Sequence, residues 1–181
     1  MTKTHLIDGL SATEFNLGAF QEGGKGTLYV SSCPGFSKED GASATRKDAH
    51  LDFLTAQGIQ LVVALTPEDE MQRLEVADMP QRIQDAGIAW VYAPVVDRSA
   101  PDHTQLNAYI DAMDKVAAIL EEDGRALVHC RGGTGRAGKT AAIMLMRYGM
   151  DAQDAIDLLR SHRDGCVETA EQEAFVLAYK Q

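Results

Sequence analysis

The sequence predicts an α/β fold in which a mostly parallel central sheet of about four to five strands is covered by helices on both faces. Short apolar runs of strand length alternate with longer stretches of helical spacing, the order in which helices connect parallel strands. The 181 residues are 45% hydrophobic, which is enough to close one sizeable core. We therefore expect a single domain over residues 1–181, with an N-terminal extension, residues 1–27, and a core, residues 28–181.

The first predicted strand, residues 28–32, is a short aliphatic and aromatic run inside a glycine-rich segment. Residues 46–57 have the length of a helix, and Gly58 after them is the residue type that commonly ends one. The continuous apolar run at residues 59–65 is typical of a buried strand. A charge-rich helical region over residues 67–87 then begins with proline, which favours the first turn of a helix, and breaks at a second proline.

The next strand covers residues 89–96 and precedes the clearest amphipathic helix of the chain. In that helix, residues 104–122, apolar residues are spaced three or four apart, so that one face can pack on the sheet. The remaining predicted elements are a strand at residues 126–130, a helix at residues 136–148 and two further helices. Because ligands of such sheets bind at the carboxyl ends of strands, the turn after Cys130 is expected to carry a site.

The charge balance argues against polyanionic partners. The chain has 17 Lys and Arg against 27 Asp and Glu, a net charge of −10. Nucleic acids and anionic membranes are normally bound by excess positive charge, so we expect neither as a partner. The first fifteen residues contain no continuous apolar run, which indicates neither a secretory signal nor a membrane anchor and favours the cytoplasm. The oligomeric state stays open.

The three cysteines, Cys33, Cys130 and Cys166, are widely spaced and form no CxxC pair. Such a set predicts neither a disulfide framework nor a zinc cluster, and we expect no metal and no cofactor. Cys33 and Cys166 are typical of structural residues; the alternative is that one of them is an oxidative partner of Cys130.

The turn after the strand at residues 126–130 contains three glycines and leads into a helix. The backbone N–H groups of such a turn converge on one point, and the helix N-terminus adds a partial positive charge. The turn can therefore hold a phosphate group. The residues expected to bind it are Arg131, Gly132, Gly133, Thr134, Gly135 and Arg136.

Cys130 begins this turn and Arg136 ends it. An ordinary thiol has a pKa of about 8.5 and is mostly protonated at neutral pH, but amides that hold phosphate also stabilise a thiolate. Cys130 is therefore a candidate nucleophile for attack on a bound phosphorus. The planar guanidinium of Arg136 can bind two phosphate oxygens and stabilise their charge in the transition state.

The run HCRGGTGR at residues 129–136 resembles the phosphate loop of the cysteine-dependent protein tyrosine and dual-specificity phosphatase superfamily. With the SSCPG run at residues 31–35, Gly58-Ile59 and residues 94–102, the chain is most similar to the branch containing the cyclin-dependent kinase inhibitor 3 phosphatase. The likeness covers most of the chain and makes residues 28–181 a catalytic core. It implies a protein phosphatase acting on phosphotyrosine, with dual specificity left open, through a phosphocysteine intermediate.

The resemblance also implies a general acid on the loop after the strand at residues 89–96. Asp97 matches the family's acid by its position three residues after Pro94. Such an acid gives a proton to the leaving oxygen of the substrate. Asp102 is the alternative acid, but its place ahead of Thr104 is more typical of a helix N-cap.

Two further residues are given supporting roles. His129 is expected to orient the backbone of Cys130 or to stabilise its thiolate by a hydrogen bond rather than to act as a base. Gln172 is similar in place to the glutamine that positions water in the family, and the alternative is an exposed helix residue.

One departure from the family affects the expected rate. The family usually has Ser or Thr directly after the loop arginine, where the hydroxyl helps the cysteine thiolate leave from the intermediate, and this chain has Ala137. We therefore expect slow hydrolysis of the intermediate. A slow phosphate-binding or substrate-trapping module is accordingly one alternative function.

A nucleotide-binding P-loop is the other alternative. The spacing Gly133-x-x-x-x-Gly138-Lys139-Thr140 fits that motif and overlaps the same turn. A P-loop domain normally builds further strands after it, including one that ends in an acidic residue for magnesium. Because only helices are predicted after Lys139, the sequence favours the phosphatase.

The charge is unevenly distributed along the chain. Residues 124–150 contain no carboxylate, and their basic residues are Arg125, Arg131, Arg136, Lys139 and Arg147. This pattern predicts a compact positive island around the loop within acidic surroundings. Those surroundings favour a phosphosite flanked by basic residues, a preference that should weaken with added salt.

Overall fold

The computed structural model describes residues 2–20 and 24–180 and shows a central six-stranded sheet flanked by helices. The strands of the described residues are β1 (Thr2–Ile7), β2 (Leu10–Asn16), β3 (Thr27–Ser31), β4 (Phe36–Ser37), β5 (Gly41–Ala42), β6 (Leu61–Ala64), β7 (Ala89–Tyr92) and β8 (Arg125–His129). Strands β4 and β5 form a separate antiparallel pair. The order in the central sheet is β1-β2-β3-β8-β6-β7.

Helices connect the strands of the second half of the sheet and then complete the chain. They are α1 (Ala44–Ala56), α2 (Glu68–Arg73), α3 (Met79–Asp85), α4 (Leu106–Glu121), α5 (Arg136–Arg147), α6 (Ala152–His162) and α7 (Ala170–Ala178), with a short 3₁₀ turn at Leu17–Ala19. Each predicted helix is confirmed to within a few residues. The charge-rich region at residues 67–87 is interrupted as predicted, but the interruption precedes Met79, and Pro80 lies in the first turn of α3.

Strands β3, β8, β6 and β7 are parallel, as predicted, while β1 and β2 are antiparallel additions at one edge. The sequence predicts about four to five strands, and the sheet has six. The additional pair lies in the segment interpreted as an N-terminal extension, and β2 pairs with β3 in a register that sets Phe15 opposite Leu28.

A two-residue turn explains this hairpin. Asp8 and Gly9 connect β1 to β2 with φ values of 41° and 86°. A two-residue turn that matches the twist of its strands requires positive φ at both positions, which Asp-Gly favours. The Asp-Gly pair was therefore the signal that could have predicted these strands.

Each central strand sends alternate side chains to two separate cores. On β6, Leu61 and Val63 join one core, whereas Val62 joins the other. The first core contains residues of α4 to α7, and the second contains residues of α1 and α3, such as Leu54 and Ile83. The predicted arrangement of helices on both faces is confirmed.

The carboxyl ends of β3, β8 and β6 lie side by side, since His129 pairs with both Ser31 and Ala64. The segments that follow β8, β6 and β7 therefore begin at one edge of the sheet. These segments are the glycine-rich turn, α2, and the loop that starts at Ala93. Within residues 2–20 and 24–180, none of the helices has the length and apolar character needed to span a membrane.

Candidate active site

The turn between β8 and α5, residues 130–135, has its carbonyl oxygens bonded on the outside. The carbonyl of Arg131 accepts the amide N–H of Cys33 at 3.1 Å. The carbonyl of Thr134 accepts the amide N–H of Val167 at 3.2 Å. These carbonyl groups are engaged by segments outside the turn, while the amide N–H of Gly133 is directed to the sulfur of Cys130 inside it. Backbone amides available inside such a turn are what an anion site requires.

Arg163 lies beneath this turn and holds it to the N-terminal hairpin. Its Nε donates to the Gly133 carbonyl at 2.9 Å, and its Nη1 donates to Thr13 Oγ1 at 2.9 Å and to Ser11 Oγ at 3.2 Å. The side chain is buried, and no carboxylate among the described residues pairs with it. Burial lowers the pKa of Arg163, and the nearby sulfur of Cys166 and that of Cys130 oppose this effect. Sequence reasoning missed this residue.

Cys130 lies at the bottom of the turn and is 3% exposed. The amide N–H of Gly133 donates to its Sγ at 3.2 Å. Gly133 adopts φ of +74°, and a Cβ there would lie 2.5 Å from the Ser31 carbonyl carbon, so only glycine fits. This hydrogen bond stabilises negative charge on sulfur, consistent with the predicted nucleophile.

Arg136, the first residue of α5, is fully buried and directed into the turn by three acceptors. Nη1 and Nη2 donate to the two carboxylate oxygens of Glu70 at 2.8 and 2.9 Å, and Nη1 also donates to the Val95 carbonyl at 3.0 Å. Burial alone would lower the pKa of Arg136, but the hydrogen bonds that it donates to Glu70 and the charges of Cys130, Glu70 and Asp97 raise it. The guanidinium therefore stays charged and has a set orientation.

Glu70 is a site residue that sequence reasoning missed. It is 7% exposed, whereas its neighbours Glu68 and Asp69 in α2 are exposed. Its position just after β6, a strand adjacent to β8 in the sheet, brings it to the same sheet edge as the turn. An acidic residue shortly after β6 was the one sequence signal for this contact. Because Glu70 is the last of three consecutive acidic residues at the start of α2, the sequence does not show which of them is buried.

The structure brings Asp97 to the turn and leaves Asp102 away from it. Asp97 Oδ1 lies 2.9 Å from Nη2 of Arg136, and about half of the Asp97 side chain is exposed. Asp102 Oδ1 instead accepts the amide N–H groups of Thr104 and Gln105 at 2.8 and 3.1 Å. These hydrogen bonds, with that of the Thr104 hydroxyl first among them, lower the pKa of Asp102. Asp102 thus closes the turn that precedes α4, whose N-cap residue is Gln105.

The loop that carries Asp97 is docked on the start of α7 and on the two residues before it. Arg98, which has φ of +64°, donates from Nη1 to Glu168 at 2.9 Å. Its carbonyl accepts the Thr169 hydroxyl at 3.0 Å, and the Ala100 amide N–H donates to a carboxylate oxygen of Glu171 at 2.9 Å. Three contacts thus hold the acidic side chain of Asp97 over the turn.

Gln172 is fully buried at the start of α7, so the alternative of an exposed helix residue is wrong. Its Oε1 accepts the amide N–H groups of Glu168 and Thr169 at 3.0 and 3.3 Å. Its Nε2 has no acceptor within the described ranges and would lie 3.1 Å from a Cβ at Gly135. The amide group therefore lies against the turn with a free donor.

His129 is buried against Trp90, with 5.6 Å between the ring centroids. Burial lowers the pKa of His129 to about 4, although the backbone of Cys130 lies close enough to oppose the shift. Neither ring nitrogen makes a hydrogen bond to any residue that the structure describes. The imidazole is thus neutral at pH 7, and the expected hydrogen bond to the nucleophile is not present.

The nucleotide-binding alternative is wrong for this fold. No strand follows β8 in the described part of the chain, where only α5, α6 and α7 occur. Lys139 is buried, and its Nζ lies 4.6 Å from the ring centroid of Tyr109 and has no hydrogen-bond acceptor in residues 2–20 and 24–180. Its ammonium therefore points into the protein between helices.

The other two cysteines are free and buried. Burial raises the pKa of Cys33 and raises that of Cys166 to about 11, so both are mostly protonated at neutral pH. An oxidative pairing with Cys130 stays a prediction. No cluster of three or more His, Cys, Asp or Glu side chains suited to a metal occurs among residues 2–20 and 24–180.

The predicted positive island is not one surface. Arg125 lies at the opposite end of β8 from the turn, and Arg147 lies at the far end of α5, about 16 Å along the helix from Arg136. Arg147 also donates to Asp114 at 2.6 Å. These basic residues do not form one surface because residues close in sequence are spread along an extended strand and a helix.

Four cations line the opening of the turn: Lys38, Arg98 and Arg131, which are exposed, and the buried Arg136. Arg98 is paired with Glu168, which leaves Lys38 and Arg131 as the exposed cations without a described carboxylate partner. They border a cavity of about 330 Å³ that reaches Cys130. Lys38 lies between β4 and β5, far from the turn in sequence, so the sequence pattern around the turn did not reveal it.

The chain resembles phosphatases in sequence. The sequence profile of a family described as "Swiss Army Knife protein, DSP-PTPase phosphatase domain" matches residues 40–176. Cyclin-dependent kinase inhibitor 3 of Rattus norvegicus is 29% identical over 148 residues, which cover 80% of this chain and 68% of the rat protein. Tyrosine-protein phosphatase CDC14 of Saccharomyces cerevisiae is 28% identical over 123 residues, covering 67% of this chain and 20% of the yeast protein.

Solved structures show the same fold. Kinase associated phosphatase with its catalytic cysteine replaced by serine superposes with a TM-score of 0.73 at 24% identity, covering 86% of this chain and 89% of that chain. Tk-PTP in its active form superposes with a TM-score of 0.64 at 26% identity, covering 86% of this chain and 94% of that chain. The similarity to the cyclin-dependent kinase inhibitor 3 branch is confirmed, as is the phosphatase-like α/β fold.

Proposed function

We propose that this chain, which belongs to the DSP-PTPase phosphatase domain family, hydrolyses phosphorylated proteins with Cys130 as nucleophile. The family consists of cysteine-dependent tyrosine and dual-specificity phosphatases. Arg136 and the amides of residues 131–136 bind the phosphate, and Asp97 transfers the protons. The observation that carries these assignments is the convergence of three groups on one cavity. These groups are the Cys130 sulfur, the Arg136 guanidinium held by Glu70, and the Asp97 carboxylate 2.9 Å from that guanidinium.

In the first step the thiolate of Cys130 attacks the phosphorus of the bound monoester. A sulfur–phosphorus bond forms while the bond from phosphorus to the ester oxygen breaks. Asp97 gives its proton to that leaving oxygen, which departs as an alcohol or phenol. Arg136 and the inward amides hold the remaining phosphate oxygens, whose charge is spread most in the transition state.

In the second step water hydrolyses the phosphocysteine. The Asp97 carboxylate takes a proton from the water as its oxygen attacks phosphorus, and the electron pair of the broken bond stays on sulfur. Gln172 is suited to orient this water, because its free Nε2 lies against Gly135. Inorganic phosphate leaves, and the thiolate is restored without a metal or a cofactor.

The substrate class is a phosphoprotein, with phosphotyrosine first and phosphoserine or phosphothreonine second. The net charge of −10 supports a phosphosite in a basic segment and argues against nucleic acid as a partner. Lys38 and Arg131 at the cavity opening are suited to attract the phosphate itself. The cytoplasm is the proposed compartment.

The experiment is a panel of phosphotyrosine, phosphoserine and phosphothreonine peptides and phosphoinositides, with phosphate release as the readout. Cys130→Ser is the blank, and its fold is checked by circular dichroism. We expect release from phosphotyrosine peptides that is unaffected by EDTA and abolished in Cys130→Ser. Activity retained by Cys130→Ser, or a requirement for magnesium, would overturn the proposal.

The substrate-trapping alternative is favoured by one observation, Ala137. A trapping module would bind phosphotyrosine peptides but release phosphate only in a single stoichiometric burst. Turnover of many equivalents of peptide per protein molecule would exclude it.

A further inference from the structure

A second cavity adjoins the one that reaches Cys130, and the proposed mechanism gives it no role. This side cavity has a volume of about 440 Å³ and is lined by residues of the β1–β2 hairpin, the β4–β5 segment, the phosphate-binding turn and the end of α6. Four residues line both cavities, namely Lys38, Arg131, Gly132 and Thr134. A group bound in the side cavity therefore lies next to a phosphate group bound in the turn.

The wall of the side cavity carries three cations that have no carboxylate partner. Lys38 and Arg131 are exposed, and Arg163 is 7% exposed. None of the three forms an ion pair within residues 2–20 and 24–180. The described hydrogen bonds of Arg163 all go to neutral carbonyl and hydroxyl oxygens. The positive charge of this wall is therefore available to a ligand.

Three serine hydroxyls in the same wall have their protons free. Ser11 Oγ accepts from Nη1 of Arg163 at 3.2 Å, Ser32 Oγ accepts the amide N–H of Ser11 at 3.0 Å, and Ser37 Oγ accepts the amide N–H of Glu39 at 3.2 Å. A hydroxyl that accepts a hydrogen bond still has one proton to donate. In the described part of the chain, none of these three protons has an acceptor. The side cavity thus offers O–H donors beside three cations.

Two carboxylates, those of Glu39 and Asp164, also line the side cavity. Both residues are exposed. Against three cations they leave only a small positive excess, so the ligand has to match the number of donors as well as the charge. A phosphoryl group has three acceptor oxygens and a charge of about −1.5 to −2, and so uses more of these donors than a carboxylate, which has two oxygens.

The hairpin wall of the side cavity is fixed in place and lies outside the part of the chain that the family profile matches, residues 40–176. His50 accepts the amide N–H of Gly35 at 2.7 Å through Nδ1, and its Nε2 donates to the carbonyl of Ile7 at 2.8 Å. Arg46 Nε donates to the carbonyl of Asp8 at 2.8 Å. A wall held in this way does not need to be ordered by the ligand, which favours binding.

We propose that the side cavity binds a second phosphoryl group of the same substrate, so that the protein prefers peptides phosphorylated at two nearby residues. This inference rests on the proposed function, since the first phosphate has to lie over Cys130. Residues two apart in an extended peptide point to the same side and lie about 7 Å apart, a distance comparable to the width of a cavity of this volume. The second phosphorylated residue is therefore expected two positions from the first.

The preference for a second phosphoryl group is compatible with a basic substrate segment. The net charge of −10 acts on the whole peptide at long range and is screened by salt. The donors of the side cavity act on one group at hydrogen-bond distance, where screening is weak. The rest of the peptide can therefore be basic while one position carries the second phosphoryl group.

The test compares peptides that contain one phosphotyrosine and, at one to three positions on either side, serine, phosphoserine or glutamate. Hydrolysis of the phosphotyrosine is followed by tyrosine fluorescence, so that phosphate released from phosphoserine does not count. We expect phosphoserine two positions away to raise kcat/KM about tenfold over serine, mainly through a lower KM. Less than about twofold at every spacing would overturn the proposal, and so would an equal gain from glutamate.

Variants of the wall are compared by the ratio of kcat/KM for the doubly and the singly phosphorylated peptide, which cancels their effects on the first phosphate. Ser11→Asp puts a carboxylate beside Arg163, and Lys38→Met removes a cation; each should lower the ratio to about threefold or less. Glu39→Gln removes a carboxylate and should raise it. Ser11→Ala replaces Ser11→Asp if circular dichroism shows a disturbed fold.

Lys25→Met is the matched control for Lys38→Met, because Lys25 is exposed and precedes β3 at the end of the sheet opposite to the turn. The control should keep the ratio of wild type. A ratio that falls equally in Lys25→Met would assign the preference to net charge and overturn the proposal. Ratios unchanged in both Lys38→Met and the Ser11 variant would do the same.

The outcomes separate this inference from the proposed function. Calorimetric titration of Cys130→Ser with the two peptides measures the binding preference without turnover, and we expect about the same tenfold ratio in Kd. If activity depends on Cys130 but both ratios are close to one, the side-cavity proposal fails and the function stands. If Cys130→Ser keeps full activity while the preference persists, the proposed function fails and the phosphoryl site stands.

Discussion

Replacing Glu70 by glutamine tests how the loop arginine is held. The carboxylate of Glu70 accepts two hydrogen bonds from Arg136, at 2.8 and 2.9 Å, in a buried position. Glutamine keeps one acceptor oxygen but presents an NH₂ group to a guanidinium that has only donors. The guanidinium then loses one charged hydrogen bond and its fixed orientation toward the phosphate.

The magnitude follows from those contacts. A hydrogen bond between charged groups contributes about 1.5–3 kcal/mol, and the repulsive NH₂ group places this case at the upper end, about 3 kcal/mol. Since each 1.4 kcal/mol is a factor of ten, kcat/KM should fall about a hundredfold. The Val95 carbonyl and Asp97 still bond Arg136, so we expect a stability loss of only about 2 kcal/mol, or about 6 °C in Tm.

The assay is steady-state hydrolysis of p-nitrophenyl phosphate, with inhibition by inorganic phosphate as a separate measure of anion binding. Glu68→Gln is the matched control, because Glu68 is exposed in the same helix, and it should stay within about twofold of wild type. A folded Glu70→Gln protein with kcat/KM within about threefold of wild type would refute the role given to Glu70.

Three further changes have defined outcomes. Asp97→Asn should lower kcat on phosphotyrosine peptides at least about a hundredfold. Asp102→Asn, in the turn before α4, should leave kcat within about threefold of wild type, because asparagine can also accept the hydrogen bonds of that turn. The opposite order in steady-state assays would make Asp102 the acid. Arg98→Ala breaks a contact that docks the loop and should lower kcat a few fold with little change in Tm; an unchanged kcat would show that this contact does not govern the loop. Burial lowers the pKa of His129 from 6.5 to about 4. Between these two pH values the imidazole binds a proton in the unfolded chain but not in the folded protein. The free energy of unfolding should therefore fall by up to about 3 kcal/mol as the pH is lowered from 6.5 to 4. In urea titrations His129→Leu should reduce this loss, and His103→Gln, at an exposed position, should not.

The position of the turn between a strand and a helix was predictable because it is local. Cys130, the glycines and Arg136 lie within seven residues, and a glycine-rich turn between a strand and a helix has few possible shapes. The order of strands and helices, with the rule that parallel strands end at one edge, places the loop after β7 beside the turn. The choice of Asp97 over Asp102 within that loop came from the resemblance to the family.

The groups that support the turn were not predictable in this way. Glu70 reaches Arg136 across 66 residues of sequence, and Arg163 reaches Gly133 across 30. Nothing in the local pattern distinguishes Glu70 from the acidic residues beside it. Such contacts depend on the packing of α2 and α6 around the sheet, which a single sequence does not specify.

Two other predictions differ from the structure: the number of strands and the predicted positive surface around the turn. Asp8-Gly9 is a hairpin signal within the segment interpreted as an extension, and the strands on either side of it were missed. The basic residues of residues 124–150 are close in sequence but lie at opposite ends of β8 and α5. Distance along a strand or helix, rather than sequence separation, decides which charges form one surface.

The most direct test of the central claim is to trap the intermediate and locate it. The wild-type protein is mixed rapidly with a phosphotyrosine peptide, quenched with acid, digested and analysed by mass spectrometry. We predict one added phosphoryl group on the peptide that contains Cys130, present at quench times shorter than one turnover and absent from Cys130→Ser. Phosphate release without such an adduct, or an adduct on any other residue, would contradict the account.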